Sequence, residues 1–254
     1  MADPVIVGRV VALWRYPVKS MLGERVDRIA IDADGVAGDR IRALFDPERG
    51  EYASAKTIRR YGDLFRCQAT LEDDARVRIV LPDGRAFVEE AASDALSQLV
   101  GAPVRLARWE ERHPRWYSFH GADRRASDPD RRDATRFHDS SRIHLISEAT
   151  LASLRADAPE DVRRFRPNIV VATAAGGYPE EGWSGCTIAI GDAHIIVERP
   201  CPRCVMPTLP QAGGVEHDPD VRRRLLDRND DNAGVLCDIA APGTVALGDD
   251  LTFA

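Results

Sequence analysis

Two cysteines separated by two residues, Cys201 and Cys204, form a Cys-Pro-Arg-Cys motif directly after a predicted strand. A structural zinc site needs four nitrogen or sulfur ligands, and the other three cysteines are scattered singly along the chain. A thioredoxin-like redox pair needs a helix that begins at the motif, and Pro207 and Pro210 would interrupt such a helix. The spacing therefore disfavours both zinc and a thioredoxin-like site.

Two interpretations of this motif remain open. In one, a single soft thiolate is offered to a transition metal, and the adjacent Arg203 neutralises an anionic ligand. In the other, both cysteines are buried in a turn between a strand and a loop, because cysteine is among the residues most often buried.

Three further loops carry groups that could hold an anion. They contain Lys19 with Ser20, then Asp39 with Arg40, and the run from Arg164 to Asn168. A guanidinium can bind a phosphate through two hydrogen bonds, and an Asn amide can both donate and accept. Taken singly, each group also fits a solvated charge or a hydrogen bond that fixes a loop. The two lysines are nevertheless notable, because the chain has 33 arginines and only two lysines, Lys19 and Lys56.

The elements that must position these loops are short strands. Alternation of apolar and polar residues predicts strands in the first third, a hairpin over 77–88, and a short helix that begins at Ser93 and ends at Gly101. Further strands and a second hairpin follow residue 142, with helices after Ser147 and after Pro219. Many short strands with few helices predict an α+β, mostly β fold built from barrel-like domains.

Composition limits the function classes. The chain has 254 residues and a net charge of −6, so bulk charge offers no basis for binding nucleic acid. No apolar run approaches the roughly 20 residues of a membrane-spanning helix, and no secretory signal begins the sequence. We therefore expect a cytoplasmic protein with no membrane partner. Its five cysteines do not predict a disulfide scaffold.

The order of the motifs resembles that of the MOSC proteins, and in particular of the YcbX and mitochondrial amidoxime reducing component type. The resemblance extends from residue 5 to residue 253. The shared segments are Tyr16-Pro-Val-Lys-Ser20, Gly38-Asp-Arg40, Ser54-Ala-Lys56, Phe137-His-Asp139, His144-Leu-Ile-Ser147, Arg164-Phe-Arg-Pro-Asn-Ile-Val170, Pro202-Arg-Cys-Val205, Pro242-Gly-Thr244 and Gly248-Asp249. This resemblance implies an MOSC N-terminal β-barrel domain over 1–112, a charged linker over 113–136 and an MOSC domain over 137–254.

The resemblance also implies a cofactor and a reaction. A pyranopterin molybdenum cofactor (molybdopterin) would lie between the two domains, with Cys204 as the metal ligand. Contacts to the cofactor would come from Lys19, Ser20, Arg40, Ser147, Arg166, Asn168, Arg203 and Thr208. The expected reaction is reduction of small N-hydroxylated compounds, with Asp39 or a water molecule as proton donor.

Electrons would come from a separate ferredoxin, flavodoxin or reductase, because the sequence contains neither a ferredoxin-like cysteine cluster nor a Gly-x-Gly-x-x-Gly motif for a dinucleotide. One alternative is a sulfur carrier, or a protein that binds and delivers the molybdenum cofactor, in which Cys201 and Cys204 cooperate. A scaffold that has lost its cofactor is a third possibility, which the intact Lys19, Arg166, Asn168 and Cys204 set argues against.

Overall fold

A computed structural model describes residues 5–72, 75–111, 136–154 and 162–254. Nearly all of the predicted charged linker, 113–136, lies outside the described residues. The strands are β1 (Ile6–Arg15), β2 (Glu24–Val26), β3 (Arg28–Asp32), β4 (Gly35–Val36), β5 (Arg42–Asp46), β6 (Glu51–Tyr52), β7 (Gln68–Leu71), β8 (Val77–Val80), β9 (Ala86–Val88), β10 (Arg105–Arg108), β11 (Ile143–Ser147), β12 (Ile169–Ala172), β13 (Thr187–Ile190), β14 (Ala193–Pro202), β15 (Asn232–Ala241), β16 (Gly243–Ala246) and β17 (Asp250–Phe253). The α-helices are α1 (Ile58–Tyr61), α2 (Ser93–Val100), α3 (Glu148–Leu154) and α4 (Asp220–Asn229).

Seven strands form a closed barrel. Their order around the barrel is β12, β11, β15, β14, β13, β17 and β1, and pairing of β1 with β12 closes the ring. The pairing of β11 with β12 is parallel, and the other neighbours in the ring are antiparallel. The prediction of a mostly β, barrel-containing fold with a few short helices is confirmed.

Alternating side chains fill the interior of the barrel. Along β14, Ala193, Ile195 and Val197 are buried, whereas His194 and Ile196 between them are exposed. This alternation is what a two-residue strand period imposes when only one face of the sheet meets the core. The second half of the chain therefore supplies most of the interior of the barrel.

The first strands of the chain belong to the same core. Val10 and Leu13 of β1 lie in the barrel core together with Ile29, Ile31 and Val36. β3 also pairs with β16, close to the end of the chain. The barrel is thus built from both ends of the sequence.

A second core is formed by apolar residues between Val18 and Leu106. Three small elements surround it: the sheet of β10, β5 and β6, the sheet of β7, β8 and β9, and helix α2. The predicted hairpin over 77–88 is confirmed as β8 and β9. Ser93, expected to cap α2, instead accepts a hydrogen bond from the Leu106 backbone at 3.3 Å, and α2 has no side-chain cap. Gly101 ends the helix in the left-handed conformation, as predicted.

A small apolar cluster joins the two halves of the chain. Ala55 and Phe65, from the first half of the sequence, pack against Met206 and Leu209 from the second half. Cys204 packs against this cluster. Among the described residues, no helix is long and apolar enough to cross a bilayer. The loops around this cluster carry most of the residues that the sequence singled out.

Candidate functional site

One cavity gathers most of the predicted site residues. Its lining comes from loops of both halves of the chain and consists of Lys19, Ser20, Arg40, Lys56, His138, Asp139, Ser140, Ser141, His144, Phe165, Arg166, Asn168, Cys201, Pro202, Arg203, Cys204, Met206 and Leu236. The structure therefore brings together seven of the residues predicted from the sequence, namely Lys19, Ser20, Arg40, Arg166, Asn168, Arg203 and Cys204.

The lining carries a strong excess of positive charge. Five cationic side chains, two of them lysines, face a single lining carboxylate, that of Asp139, although the whole chain has a net charge of −6. Lys19 and Lys56 both form ion pairs with Asp139, and the Lys56 pair is 3.0 Å long. Burial would raise the pKa of Asp139, but the two ammonium groups hold it far below its usual range. The cavity is therefore suited to an anionic ligand.

Tyr16 holds two of the arginines beside the cavity. The Arg166 guanidinium lies 4.3 Å from the centre of the Tyr16 ring, and that of Arg40 lies 5.1 Å from it. Arg166 also donates to the Met21 carbonyl at 2.6 Å. Burial and the neighbouring Arg40 lower the pKa of Arg166 to about 10, so this side chain is still charged at neutral pH. Cations over the face of an aromatic ring are stabilised by its electron density.

Three non-glycine residues of the lining have left-handed backbone conformations. The φ angles are 65° for Ser20, 50° for Arg40 and 54° for Arg166. Such conformations are costly for residues with a Cβ atom, and they cluster at functional sites. Their coincidence in one cavity supports a binding role for it.

Asn168 connects the cavity to the first strand. Its Oδ1 atom accepts from the His144 backbone at 3.2 Å, and its Nδ2 atom donates to the Trp14 carbonyl at 3.3 Å. The amide is therefore held in one orientation at the edge of the lining.

Three predicted site residues do not line the cavity. Asp39 is fully buried behind Arg40, where one carboxylate oxygen accepts from the Tyr16 backbone at 2.7 Å and the other pairs with Arg40. Ser147 is bonded through its hydroxyl to Glu180 at 2.6 Å and caps α3. Thr208 donates to the Val205 carbonyl at 2.7 Å, within the turn that follows Cys204. In this structure all three act on the framework of the site.

The two cysteines of the motif have different surroundings. Cys204 is partly exposed and packs against the apolar cluster that joins the two halves. Cys201 is buried, and its Sγ atom accepts from the Arg203 guanidinium at 3.0 Å. Burial alone would raise the pKa of Cys201, but Arg203 and a hydrogen bond with His144 outweigh it and lower that pKa to about 6. The expectation that both cysteines are buried therefore holds for Cys201 and not for Cys204, and the turn that carries them lines the cavity.

Sequence reasoning missed five polar residues of the lining: His138, Asp139, Ser140, Ser141 and His144. Burial and the positive charges of Arg40 and Arg136 lower the pKa of His138 well below its ordinary value. The segments Phe137-His-Asp139 and His144-Leu-Ile-Ser147 contributed to the resemblance. Their polar side chains could therefore have been predicted as site residues. Within the described ranges, no group of three or more His, Cys, Asp or Glu side chains is arranged to hold a metal ion.

Two family models match consecutive parts of the chain. Residues 7–112 match the MOSC N-terminal beta barrel domain, and residues 130–252 match the MOSC domain. A mitochondrial amidoxime reducing component 2 from Bos taurus is 29% identical over 242 residues, which cover 82% of this chain and 68% of the relative. Mitochondrial amidoxime-reducing component 1 from Homo sapiens is 28% identical, with 96% of this chain and 82% of the relative covered.

A more distant relative is a molybdenum cofactor sulfurase from Drosophila willistoni. It is 24% identical over 225 residues, which cover 81% of this chain and 28% of the relative. Since the two domain matches follow each other and together span most of the sequence, the chain belongs to the MOSC family, with an MOSC N-terminal beta barrel domain ahead of its MOSC domain.

Proposed function

We propose that this protein binds a pyranopterin molybdenum cofactor in the cavity and reduces N-hydroxylated compounds with electrons from a separate protein. The observation that carries the proposal is the meeting of a partly exposed thiol, Cys204, with five cationic side chains in one cavity. The names of the relatives, which refer to amidoxime reduction and to the molybdenum cofactor, support the same reaction class.

The residues present fit such a cofactor. A phosphate-bearing, electron-rich ligand requires cations and amide partners, and a soft metal accepts a thiolate. The Nε atom of Arg203 is buried, and no acceptor among the described residues lies within hydrogen-bond distance of it. A buried donor without an acceptor is costly, so a ligand that accepts from Arg203 would remove that cost.

When bound, the cofactor would supply two-electron oxygen-transfer chemistry at molybdenum. Cys204 would hold the metal, and Lys19, Arg40 and Arg166 would neutralise the anionic part of the ligand. Ser20 and Asn168 would orient it, because both side chains are already fixed by hydrogen bonds, Ser20 to the Ala55 backbone at 3.0 Å. Ser147 and Thr208 were predicted to contact the cofactor. They would instead stabilise its surroundings, Ser147 by capping α3 and Thr208 by a hydrogen bond within the turn that follows Cys204.

The protein must also manage protons, because reduction of an N–OH group to N–H with release of water consumes two of them. Asp139 is kept ionised by its two lysines, so it accepts hydrogen bonds at the cavity and does not supply the proton. Asp39 stays the predicted donor, and its route to the cavity would pass the lining residue His138, whose Nδ1 atom is 3.9 Å from Asp39 Oδ2. The electron donor of ferredoxin, flavodoxin or reductase type stays a prediction, as does the cytoplasmic location.

The test is the molybdenum and pterin content of protein purified from a host that makes the cofactor. We expect near-stoichiometric metal in the parent and at least a tenfold loss in Cys204→Ala. The matched control is Cys186→Ala, a partly exposed cysteine outside the cavity lining. Reduction of benzamidoxime by a chemically reduced viologen should follow the metal content. A Cys204→Ala protein that keeps both its molybdenum and its activity would refute the proposal.

The thiolate character of Cys201 favours a second candidate, a carrier of sulfane sulfur that uses Cys201 and Cys204 together. A carrier that needs both thiols would lose sulfur transfer in Cys201→Ser and in Cys204→Ser alike. The reductase instead predicts a mild effect of Cys201→Ser and a severe effect of Cys204→Ser on reduction of the N-hydroxylated substrate.

A further inference from the structure

Cys201 is held in the wall of the cavity by two nitrogen groups. Its Sγ atom accepts a hydrogen bond from the Arg203 guanidinium at 3.0 Å, and the His144 side chain lines the same cavity and helps to lower the pKa of the thiol. Only 6% of the residue is exposed, yet it belongs to the cavity lining. The residue therefore borders the cavity although nearly all of its surface is covered by protein.

The orientation of the His144 ring is fixed by a hydrogen bond to the backbone. Its Nε2 atom lies 2.9 Å from the Ala233 carbonyl oxygen, and because a carbonyl only accepts, Nε2 carries the proton and donates. Nδ1 is then the unprotonated nitrogen of the ring, and it can accept the proton of a neighbouring thiol. Gly234 makes the position possible: a Cβ atom there would lie 2.7 Å from Nε2 and 2.4 Å from the Leu145 carbonyl oxygen. A thiol, an adjacent imidazole and a third group that orients the imidazole form the arrangement of an activated nucleophile.

Cys204 lies three positions further along the chain and lines the same cavity. The other cysteines are elsewhere: Cys67 and Cys237 are fully buried in the two cores, and Cys186 packs at the side of the barrel core. Burial raises the pKa of Cys67 to about 12 and also raises that of Cys237, so neither thiol ionises readily. Of the five cysteines, all of which lie in the described residues, Cys201 and Cys204 are the two that line this cavity.

We propose that Cys201 is a peroxide-reactive thiol and that Cys204 resolves it, so that the cofactor-free cavity closes to a reversible Cys201–Cys204 disulfide. In the first step the Cys201 sulfur attacks hydrogen peroxide, an S–O bond forms, the O–O bond breaks, and hydroxide leaves and is protonated to water. In the second step the Cys204 sulfur attacks the sulfenic acid at Cys201, the S–S bond forms, the S–O bond breaks, and the thiol proton leaves with the hydroxide as a second water. The two thiols give up two electrons in total, and the peroxide accepts them.

The biological meaning of this step rests on the proposed function. If Cys204 holds the metal, the disulfide withholds the ligand and blocks loading of the cofactor until a dithiol reductant reopens it. A bound cofactor would in turn protect Cys204, because its sulfur would be committed to the metal.

The experiment uses the full chain, purified without cofactor and fully reduced. It is treated with hydrogen peroxide, blocked with iodoacetamide and digested with trypsin, which cuts between Arg203 and Cys204. We expect a disulfide-linked pair of peptides that contain Cys201 and Cys204, reversed by dithiothreitol, while Cys186 stays reduced. Cys201→Ser and Cys204→Ser should each abolish the linked pair, and Cys186→Ser should leave it unchanged.

The role of His144 is tested by the rate of disulfide formation. His144→Gln should slow the reaction about fivefold at neutral pH, since the sulfur loses part of its activation. Oxidation of Cys186 before Cys201, or a linked pair that forms at the same rate in His144→Gln, would overturn the inference whatever the function of the protein. A separate comparison of cofactor loading in oxidised and reduced protein tests Cys204 as the ligand: equal loading would refute that assignment and leave the disulfide chemistry standing.

Discussion

The aromatic ring of Tyr16 positions two of the cations of the cavity, because the guanidinium groups of Arg40 and Arg166 both lie over it. Tyr16→Phe keeps the ring and loses the hydrogen bond from the hydroxyl to the Pro167 carbonyl, which costs about 1 kcal/mol of stability. Tyr16→Leu also loses two cation–π contacts, each of about 1–2 kcal/mol when desolvated.

We expect Tyr16→Phe to bind inorganic pyrophosphate within about twofold of the parent and Tyr16→Leu to bind it about tenfold more weakly. Isothermal titration calorimetry on the cofactor-free chain measures both, and circular dichroism checks that each variant is folded. Equal weakening in the two variants would assign the effect to the hydroxyl group and exclude the role of the ring.

His138 makes stability depend on pH in a defined direction. Burial, Arg40 and Arg136 lower its pKa in the folded state, so between pH 6.5 and 5 the unfolded chain takes up a proton that the folded chain does not. Stability should therefore fall as the pH falls below about 6.5, by up to about 1.4 kcal/mol per pH unit from this residue. Urea unfolding of His138→Gln should show a flatter profile, whereas the exposed control His217→Gln should keep the slope of the parent.

Residue types and spacing were sufficient to predict the cations, Asn168 and the two cysteines of the cavity. They could not separate Asp39 from Asp139, because only the folded chain shows that one carboxylate is buried behind Arg40 and the other is exposed to the cavity between two lysines. His144 was equally hidden, since its position depends on the space left by Gly234 on a distant strand.

At the scale of elements, one buried ion pair ties β5 to the turn before α2. Arg42 Nε and Nη2 donate to the two carboxylate oxygens of Glu89 at 2.9 and 3.0 Å, and the Val77 backbone donates to the same carboxylate. Glu89 itself has a left-handed φ of 50°. Removal of one partner leaves a buried charge, so Arg42→Ala should lower the free energy of unfolding by about 3–5 kcal/mol.

The matched control for that ion pair is Arg85→Ala, which breaks a pair with Asp83 in which both side chains are more than half exposed. It should cost less than about 1 kcal/mol. Chemical denaturation measures both variants. A cost for Arg42→Ala as small as that of the control would show that the turn adapts to the loss.

Elements with local signals were predictable, such as the hairpin of β8 and β9 with its Pro82-Asp-Gly-Arg85 turn. The pairing of β1 with β12 and β17 was not, because period-two alternation indicates a strand and says nothing about its partners.

At the scale of the whole molecule, β1 closes a barrel whose other six strands lie between residues 143 and 253, and β3 and β4 add side chains to its core. We therefore expect a fragment of residues 137–254 to lack a cooperative thermal transition, since it would expose β12 and β17 as open edges and leave out five core residues. Addition of a peptide of residues 5–36 should restore the transition in a concentration-dependent manner. Differential scanning calorimetry measures the thermal transition of the fragment with and without the peptide. A fragment that unfolds cooperatively on its own would show that the barrel does not need its first strand.

The pairing of β1 with β17 also determines when the barrel can close during synthesis on the ribosome. Arg9 and Asp250, which meet across β1 and β17, are 241 positions apart. At translation rates of about 5–20 residues per second, the first strand leaves the exit tunnel roughly 10 to 50 seconds before its last neighbour does. The nascent chain must hold an apolar strand without this partner for that interval, so the barrel cannot close until β17 has left the tunnel.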